Sequence, residues 1–226
     1  MAAVPMQQKT TVPMNPKTAA PAHQKTTTGF SPGTERRQAT LLCTELRGLA
    51  RLAEALDPGL VMVLANEFFN FAADAAAAHG GEAVGAQHDL LLAAFTRGNP
   101  SQTSQQAVRA AQRIQAQFPA IADKWRVAYG LRAAVAQGMH LGETVFGAAG
   151  PRGLERRTAF GDSVTLAQCM VHRARAGEFV MSDSVMGALS VENLDLDAEP
   201  LPQRELPRRT PIRIYGVLVE GRLDFT

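Results

Sequence analysis

The chain has 226 residues, a formal net charge of +2 and a hydrophobic content of 46%. That length exceeds one typical domain but falls short of two, and the nearly balanced charge gives no reason to expect a nucleic-acid partner. No apolar run approaches the roughly 20 residues of a membrane helix, and the N-terminus lacks the apolar core of a secretory signal. The two cysteines, Cys43 and Cys169, form no disulfide framework. We therefore expect a cytoplasmic protein with no membrane insertion.

The first 34 residues mix Pro, Thr, Lys and Gln with few large apolar side chains. Such a segment cannot bury enough surface to offset its ordering entropy. We predict a disordered arm over residues 1–34, one folded domain over 35–221 and a short tail over 222–226. A repeated "QKTT" in the arm could be a partner-binding element, although this composition is more typical of a linker.

The first predicted elements are a strand, a helix and a pair of strands. The apolar stretch "QATLLCTEL", residues 38–46, predicts a strand that runs into helix. Asp57 and Pro58 are typical of a helix start, and apolar side chains at helical spacing continue that helix to about residue 78. The stretch "GGEAVGAQHDLLLAAF", residues 80–95, predicts a glycine turn, a strand, a second turn near Asp89 and a buried strand.

Helices and strands also alternate in the second half of the chain. Residues 101–118 predict an amphipathic helix capped by Ser or Thr, and residues 126–150 predict two strands joined at a glycine-bearing hairpin. A helix over about 163–176, a strand over 178–182, a small helix and a closing strand over 209–219 follow. This order suggests an α+β sandwich in which helices cover one face of a mainly antiparallel sheet.

Two acidic residues, Glu45 and Asp89, each lie at the end of an apolar strand. Carboxylate oxygens are the ligands that hard divalent cations prefer, so the two side chains could share a cation. On local grounds alone, a solvated or capping acid at a helix start is the favoured interpretation of Glu45. Asp162, in "FGDSV", is interpreted in the same way, as the cap of the following helix.

Seven segments carry a resemblance to a known family. In chain order they are "RRQATLLCTELRGL", "LANEFF", "HGGEAVGAQHDLLLAAF", "MHLGETVFGAAG", "RRTAFGDSVTLAQ", "GEFVMSDSV" and "IRIYGV". Together, from about residue 35 to 219, they resemble the class III adenylyl/guanylyl cyclase catalytic domain. The resemblance implies a ferredoxin-like βαββαβ core with a small C-terminal extension. It also implies a head-to-tail dimer whose active sites are built from both subunits.

The same resemblance implies what the site should contain. Cyclisation of a nucleoside triphosphate needs divalent cations to activate the ribose hydroxyl and to neutralise the leaving pyrophosphate. Glu45 and Asp89 match the two metal-binding aspartates of the family, so Mg²⁺ or Mn²⁺ is the implied ion, bound weakly at most. Glu45 is one methylene longer than aspartate. His88 stands where the family commonly has glycine.

Four other positions depart from the family's pattern. Gly85 matches the base-selecting lysine, and Arg156 matches its acceptor partner, although a guanidinium can only donate hydrogen bonds. Thr165 matches the transition-state asparagine, and Cys169 matches the arginine that stabilises charge at the α-phosphate. Removing one such donor costs on the order of 10²- to 10³-fold in rate, so we expect no catalytic residues at these positions.

The predicted function is therefore a catalytically impaired cyclase domain that acts as a regulatory, dimerisation or protein-interaction module in signalling. It would pair with itself, with a related domain or with another signalling protein, and it would require no cofactor. One alternative is a weak cyclase that uses Glu45, Asp89 and Mn²⁺. Another is a nucleotide sensor in which Arg156 and Arg157 contact phosphate oxygens. A bacterial origin is suggested only by the resemblance to short stand-alone domains.

Overall fold

A computed structural model describes residues 33–191, 196–206 and 210–218. These residues all belong to one compact unit, residues 31–226. Nearly all of the predicted arm over 1–34, and the predicted tail over 222–226, lie outside the described residues.

The described strands form one eight-stranded sheet in the order β2-β3-β1-β4-β6-β8-β7, with β5 paired to β4. Neighbouring strands are antiparallel except for β4 and β6, which are parallel. This confirms the predicted α+β class with a mainly antiparallel sheet. The strands are β1 (Glu35–Arg47), β2 (Glu82–Gln87), β3 (Leu90–Phe95), β4 (Ala134–Ala149), β5 (Arg156–Phe160), β6 (Glu178–Ser182), β7 (Glu199–Arg204) and β8 (Ile212–Leu218).

Five helices pack on this sheet. They are α1 (Leu49–Ala55), α2 (Pro58–Ala77), α3 (Pro100–Tyr129), α4 (Asp162–Arg173) and α5 (Asp183–Ser190). The predicted start of α2 is confirmed, because the Asp57 side chain accepts a hydrogen bond of 2.8 Å from the backbone N–H of Gly59. The predicted Ser or Thr cap of α3 is wrong. Asn99 caps that helix in a reciprocal capping box with Gln102, since both residues bond the other's backbone N–H.

The helices cover both faces of the sheet, which corrects the expectation of one covered face. Side chains along a strand point alternately to opposite faces. Leu42 and Leu46 of β1 belong to the core cluster that contains α2, α3 and α5. Leu41 and Cys43 of the same strand belong to a second cluster, with α4. The central strand β1 is therefore buried on both sides.

The predicted glycine hairpin within residues 126–150 is wrong, because β4 is one continuous strand of 16 residues and residues 126–129 belong to α3. The glycines of β4 do not form a turn, and they allow α4 to pack closely on the strand. A Cβ at Gly138 would lie 2.1 Å from the backbone nitrogen of Val171, and one at Gly142 would lie 2.4 Å from Oγ of Ser163. Both contacts are with α4, so glycine at these positions lets the helix approach the sheet.

Among the helices of the described ranges, α2 alone is long and apolar enough to cross a membrane by length and composition. Core helices of soluble proteins meet the same criterion. In this structure Leu64, Phe68 and Ala72 of α2 are buried in the core cluster with α3.

Candidate functional site

The structure brings the two predicted metal-binding acids to adjacent strand ends. Glu45 lies near the C-terminal end of β1, opposite Leu90 at the start of β3. The backbone N–H of Leu46 donates a 2.8 Å hydrogen bond to the carbonyl oxygen of Asp89, which fixes the β2–β3 turn against β1. The negative charge of Asp89 helps to raise the pKa of Glu45, so the two carboxylates are electrostatic neighbours.

Glu45 is only 7% exposed, which is unusual for a carboxylate. Its Oε1 accepts a hydrogen bond from Nη1 of Arg47, while its Oε2 is buried without a hydrogen-bond partner. Burial is the main cause of a raised pKa for Glu45, Asp89 adds to the effect, and the positive charge of Arg47 opposes it. The net direction is upward because desolvation of the charged form outweighs the one ion pair.

Arg47 is a site residue that sequence reasoning missed. Its Nη2 donates hydrogen bonds to the carbonyl oxygens of Val171 and Ala174, at 3.0 and 3.2 Å, where α4 ends. One guanidinium therefore contacts both the Glu45 carboxylate and the C-terminal end of a helix. The available signal was a basic residue two positions after the acid on one strand, because such residues share a face.

These residues do not fit a divalent cation as they stand. Mg²⁺ and Ca²⁺ take six or more oxygen ligands, including water, and carboxylates supply the charge. One oxygen of Glu45 is already bonded to a guanidinium, which repels a second cation. Within residues 33–191, 196–206 and 210–218, no group of three or more His, Cys, Asp or Glu side chains is placed to hold a metal ion. The assignment of Glu45 and Asp89 as metal ligands stays a prediction.

His88, at the position where the family resemblance implies a glycine, has a left-handed backbone conformation. Its φ is 53°, and it is the one non-glycine residue with a positive φ in the described part of the chain. A side chain in this left-handed region costs roughly 1–2 kcal/mol relative to glycine. The substitution is therefore accommodated at an energetic cost, and the imidazole belongs to an exposed turn.

A cleft of about 500 Å³ lies between the β2–β3 pair and the β5–α4 segment. Four positions differ from the family's pattern. Gly85 and Thr165 line the cleft, whereas Arg156 and Cys169 are not among its lining residues. Every lining residue is uncharged. They are Gly85, Ala86, Gln87, Leu90, Leu92, Thr158, Ala159, Phe160, Gly161, Val164, Thr165 and Gln168.

The two arginines considered for phosphate contact, Arg156 and Arg157, lie on β5, and Arg157 contacts other side chains of the chain. Arg157 forms ion pairs with Glu35 at 2.8 Å and with Glu82 at 3.2 Å. Its guanidinium also lies 5.6 Å from the ring centroid of Phe146. Arg156 is exposed and donates a 3.0 Å hydrogen bond to the carbonyl oxygen of Glu155.

The predicted capping role of Asp162 is wrong, because Gly161 is the N-cap of α4 and makes no side-chain cap bond. Asp162 is the first helical residue, where its charge is favourable to the helix dipole. The start of α4 is instead held by Ser163, whose Oγ donates a 2.7 Å hydrogen bond to the carbonyl oxygen of Glu143 on β4. Cys169 packs against the second core cluster from this helix.

Comparisons with known proteins agree with this fold. The adenylyl cyclase CyaB from P. aeruginosa is similar over 85% of this chain and 99% of its own, with a TM-score of 0.75 and 21% identity. The guanylyl cyclase Cya2 is similar over 83% and 96%, with a TM-score of 0.72 and 22% identity. A dimeric guanylyl cyclase domain of the RhoGC fusion protein from the fungus Blastocladiella emersonii is similar over 81% and 98%, with a TM-score of 0.68 and 16% identity.

A search of curated protein sequences finds no match. The family model described as the adenylate and guanylate cyclase catalytic domain matches residues 33–217. That match spans the sheet described above up to residue 217 of β8, together with the cleft and the Glu45–Asp89 pair. The chain therefore belongs to the adenylate and guanylate cyclase catalytic domain family.

Proposed function

We propose that this chain is a catalytically impaired cyclase domain that works as a dimerisation and interaction module in signalling. The observation that carries the proposal is that every residue lining the cleft is uncharged. Two of these residues, Gly85 and Thr165, stand at positions that differ from the family's pattern. The fold around that cleft is intact.

The chemistry of the substrate explains why this lining matters. A nucleoside triphosphate carries several negative charges, which proteins usually meet with arginine, lysine or a helix N-terminus. The N-terminal end of α4 borders the cleft, but Asp162 adds a negative charge to its first turn. With no cationic side chain in the lining, this chain's part of the cleft offers weak compensation for phosphate charge and for charge that develops in a transition state.

The proposed partner is a second copy of the chain. A similar cyclase domain, from the RhoGC fusion protein, is itself described as a non-canonical dimer. In this chain Phe160, which lines the cleft, is a large apolar side chain that is 57% exposed. Exposed apolar surface of this kind is typical of an interaction site, and a second copy would cover it.

The test combines turnover and assembly. Purified protein is incubated with each common nucleoside triphosphate and with Mg²⁺ or Mn²⁺, and its mass is measured by sedimentation over a concentration series. We expect no cyclic nucleotide and a dimer. A species that stays monomeric throughout would contradict the dimerisation module.

A weak cyclase is the second candidate, and the juxtaposition of Glu45 and Asp89 at neighbouring strand ends favours it. In that case Mn²⁺-dependent product would form, and both Glu45→Gln and Asp89→Asn would abolish it. Such a result would replace the proposal of impaired catalysis. Nucleotide binding without product, weakened by Arg156→Ala, would instead indicate a sensor.

A further inference from the structure

We propose that the guanidinium of Arg47 is the permanent counter-ion of the Glu45 carboxylate and prevents divalent cations from binding at this end of β1. The inference concerns the charge balance of the chain itself. It does not depend on whether the domain forms dimers, and it disagrees with the weak-cyclase alternative, in which Glu45 holds Mn²⁺.

The first step is the position of the two side chains. Glu45 and Arg47 are two residues apart near the end of β1, so both point to the face that α4 covers. Nη1 of Arg47 donates to Oε1 of Glu45, and the Glu45 side chain is nine-tenths buried. A buried carboxylate requires a positive partner, and the chain supplies that partner from its own strand.

The second step is that Arg47 is held from its other side as well. Its Nη2 donates to the carbonyl oxygens of Val171 and Ala174, which carry the partial negative charge of the end of α4. The Arg47 side chain is 31% exposed. The guanidinium therefore has three acceptors, with Glu45 bound through Nη1 and the end of α4 bound through Nη2.

The third step concerns the cation that the family would place here. A divalent ion bound to Glu45 would share its carboxylate with the guanidinium of Arg47. The divalent ion and the guanidinium would then lie close together and repel each other strongly. The second oxygen of Glu45 has no hydrogen-bond partner, so Arg47 compensates the carboxylate only in part. Without Arg47, the buried Glu45 carboxylate would lie beside Asp89 with His172 as the remaining group that favours its charged form. Two neighbouring carboxylates are an attractive ligand pair for a hard cation.

The experiment measures Mn²⁺ binding to the full chain by the electron paramagnetic resonance signal of free Mn²⁺, with no nucleotide present. Arg47→Met keeps an unbranched stem but removes the charge, and Arg47→Lys is the matched control that retains it. We expect Arg47→Met to bind Mn²⁺ at least about tenfold more tightly than the wild type or Arg47→Lys, because one nearby positive charge is removed. The gain should vanish in Arg47→Met combined with Glu45→Gln. A melting temperature that rises with Mn²⁺ only in Arg47→Met would report the same binding.

A second comparison covers the case in which Arg47→Met does not fold. Glu45→Gln in the wild-type background should leave Mn²⁺ binding unchanged, because Glu45 is already paired. Wild-type Mn²⁺ affinity that falls in Glu45→Gln would overturn the inference, as would equal affinities of folded Arg47→Met and Arg47→Lys. Neither result bears on dimerisation, and cyclic-nucleotide formation is measured in a separate assay, so failure of this inference can be told apart from failure of the proposed function.

Discussion

At the residue scale, Glu45 is the group whose environment departs most from that of an ordinary carboxylate. It is buried on the strand end where the family places a metal ligand, its pKa is raised, and half of its hydrogen-bonding capacity is unused. Burying a charge with incomplete compensation destabilises a fold. The free energy of unfolding should therefore depend on the protonation of this one side chain.

The first prediction concerns pH. A carboxyl group whose pKa is higher in the folded than in the unfolded state stabilises the fold fully below the unfolded value, about 4.3. That stability is lost as the pH rises through the folded pKa. Between pH 4 and pH 7, the free energy of unfolding of Glu45→Gln should therefore increase relative to that of the wild type. Urea denaturation at several pH values measures it, and a difference that stays constant or shrinks with pH would contradict the raised pKa.

The second prediction concerns Gly85, which lines the cleft. A Cβ at this position would meet only Cβ of Leu92, at 3.9 Å, so a longer side chain is sterically acceptable. Gly85→Lys should therefore fold like the wild type and place a positive charge in the uncharged cleft. One charge-assisted hydrogen bond contributes about 1.5–3 kcal/mol, so affinity for a nucleoside triphosphate should rise about tenfold or more.

Calorimetry with ATP and GTP measures this gain, and Gly85→Met is the matched control because it adds a chain of similar length without charge. Equal affinities of the Lys and Met variants would show that the missing charge at residue 85 does not limit nucleotide binding.

The juxtaposition of Glu45 and Asp89 was predictable from sequence, but the role of Arg47 was not. Both acids follow apolar strands, and the family pattern places those strands side by side. The bond from Arg47 to Val171, in contrast, joins residues 124 positions apart. It depends on where α4 ends relative to β1, which the local pattern around Arg47 does not contain.

At the element scale, two errors of sequence interpretation came from glycine and proline. Glycines within residues 126–150 suggested a hairpin, yet Gly138 and Gly142 lie inside one strand because α4 packs onto it there. The predicted end of α3 at residue 118 coincided with Pro119, yet the helix continues through that proline to Tyr129. Burial of Ala122 and Trp125 stabilises the continuation, and Gly130 ends the helix with a φ of 71°.

The third prediction tests the packing of α4 on β4. In Gly138→Ala the new Cβ would overlap the backbone of α4 at Val171 and Ala167, and neither backbone can rotate away as a flexible side chain would. We expect a loss of about 3 kcal/mol or more in the free energy of unfolding. Gly187→Ala is the matched control, because Gly187 lies within α5 and a Cβ added there would have no atom within 4 Å. Alanine there should stabilise α5 by about 0.5–1 kcal/mol.

Thermal or urea denaturation of the two variants separates these effects. A stable Gly138→Ala protein would mean that α4 can move away from the sheet, and the same movement would lengthen the contacts between Arg47 and the end of that helix.

At the scale of the whole molecule, the chain belongs to the cyclase family, and the residues that line its cleft are uncharged. A domain can keep the surface through which it assembles after the polar residues of its site have changed, because different residues form the surface and the site. The apolar positions that build the two core clusters are separate from Gly85 and Thr165.

The final prediction concerns assembly. If a second copy covers the exposed apolar side chain at the cleft, then a charge at Phe160 would be buried without a partner in the dimer. Phe160→Glu should therefore raise the dimer dissociation constant by at least about tenfold, equivalent to about 1.4 kcal/mol. Val127→Glu is the matched control, because Val127 is 78% exposed on α3, away from the cleft.

Sedimentation of both variants at equal concentrations gives the comparison. Dissociation by Val127→Glu, with Phe160→Glu still dimeric, would move the interface to the helical face around α3. It would also leave the cleft open to solvent within the dimer, so that an uncharged ligand could enter it. Dissociation by Phe160→Glu alone would place the cleft at the interface, where residues of the partner subunit would complete its lining.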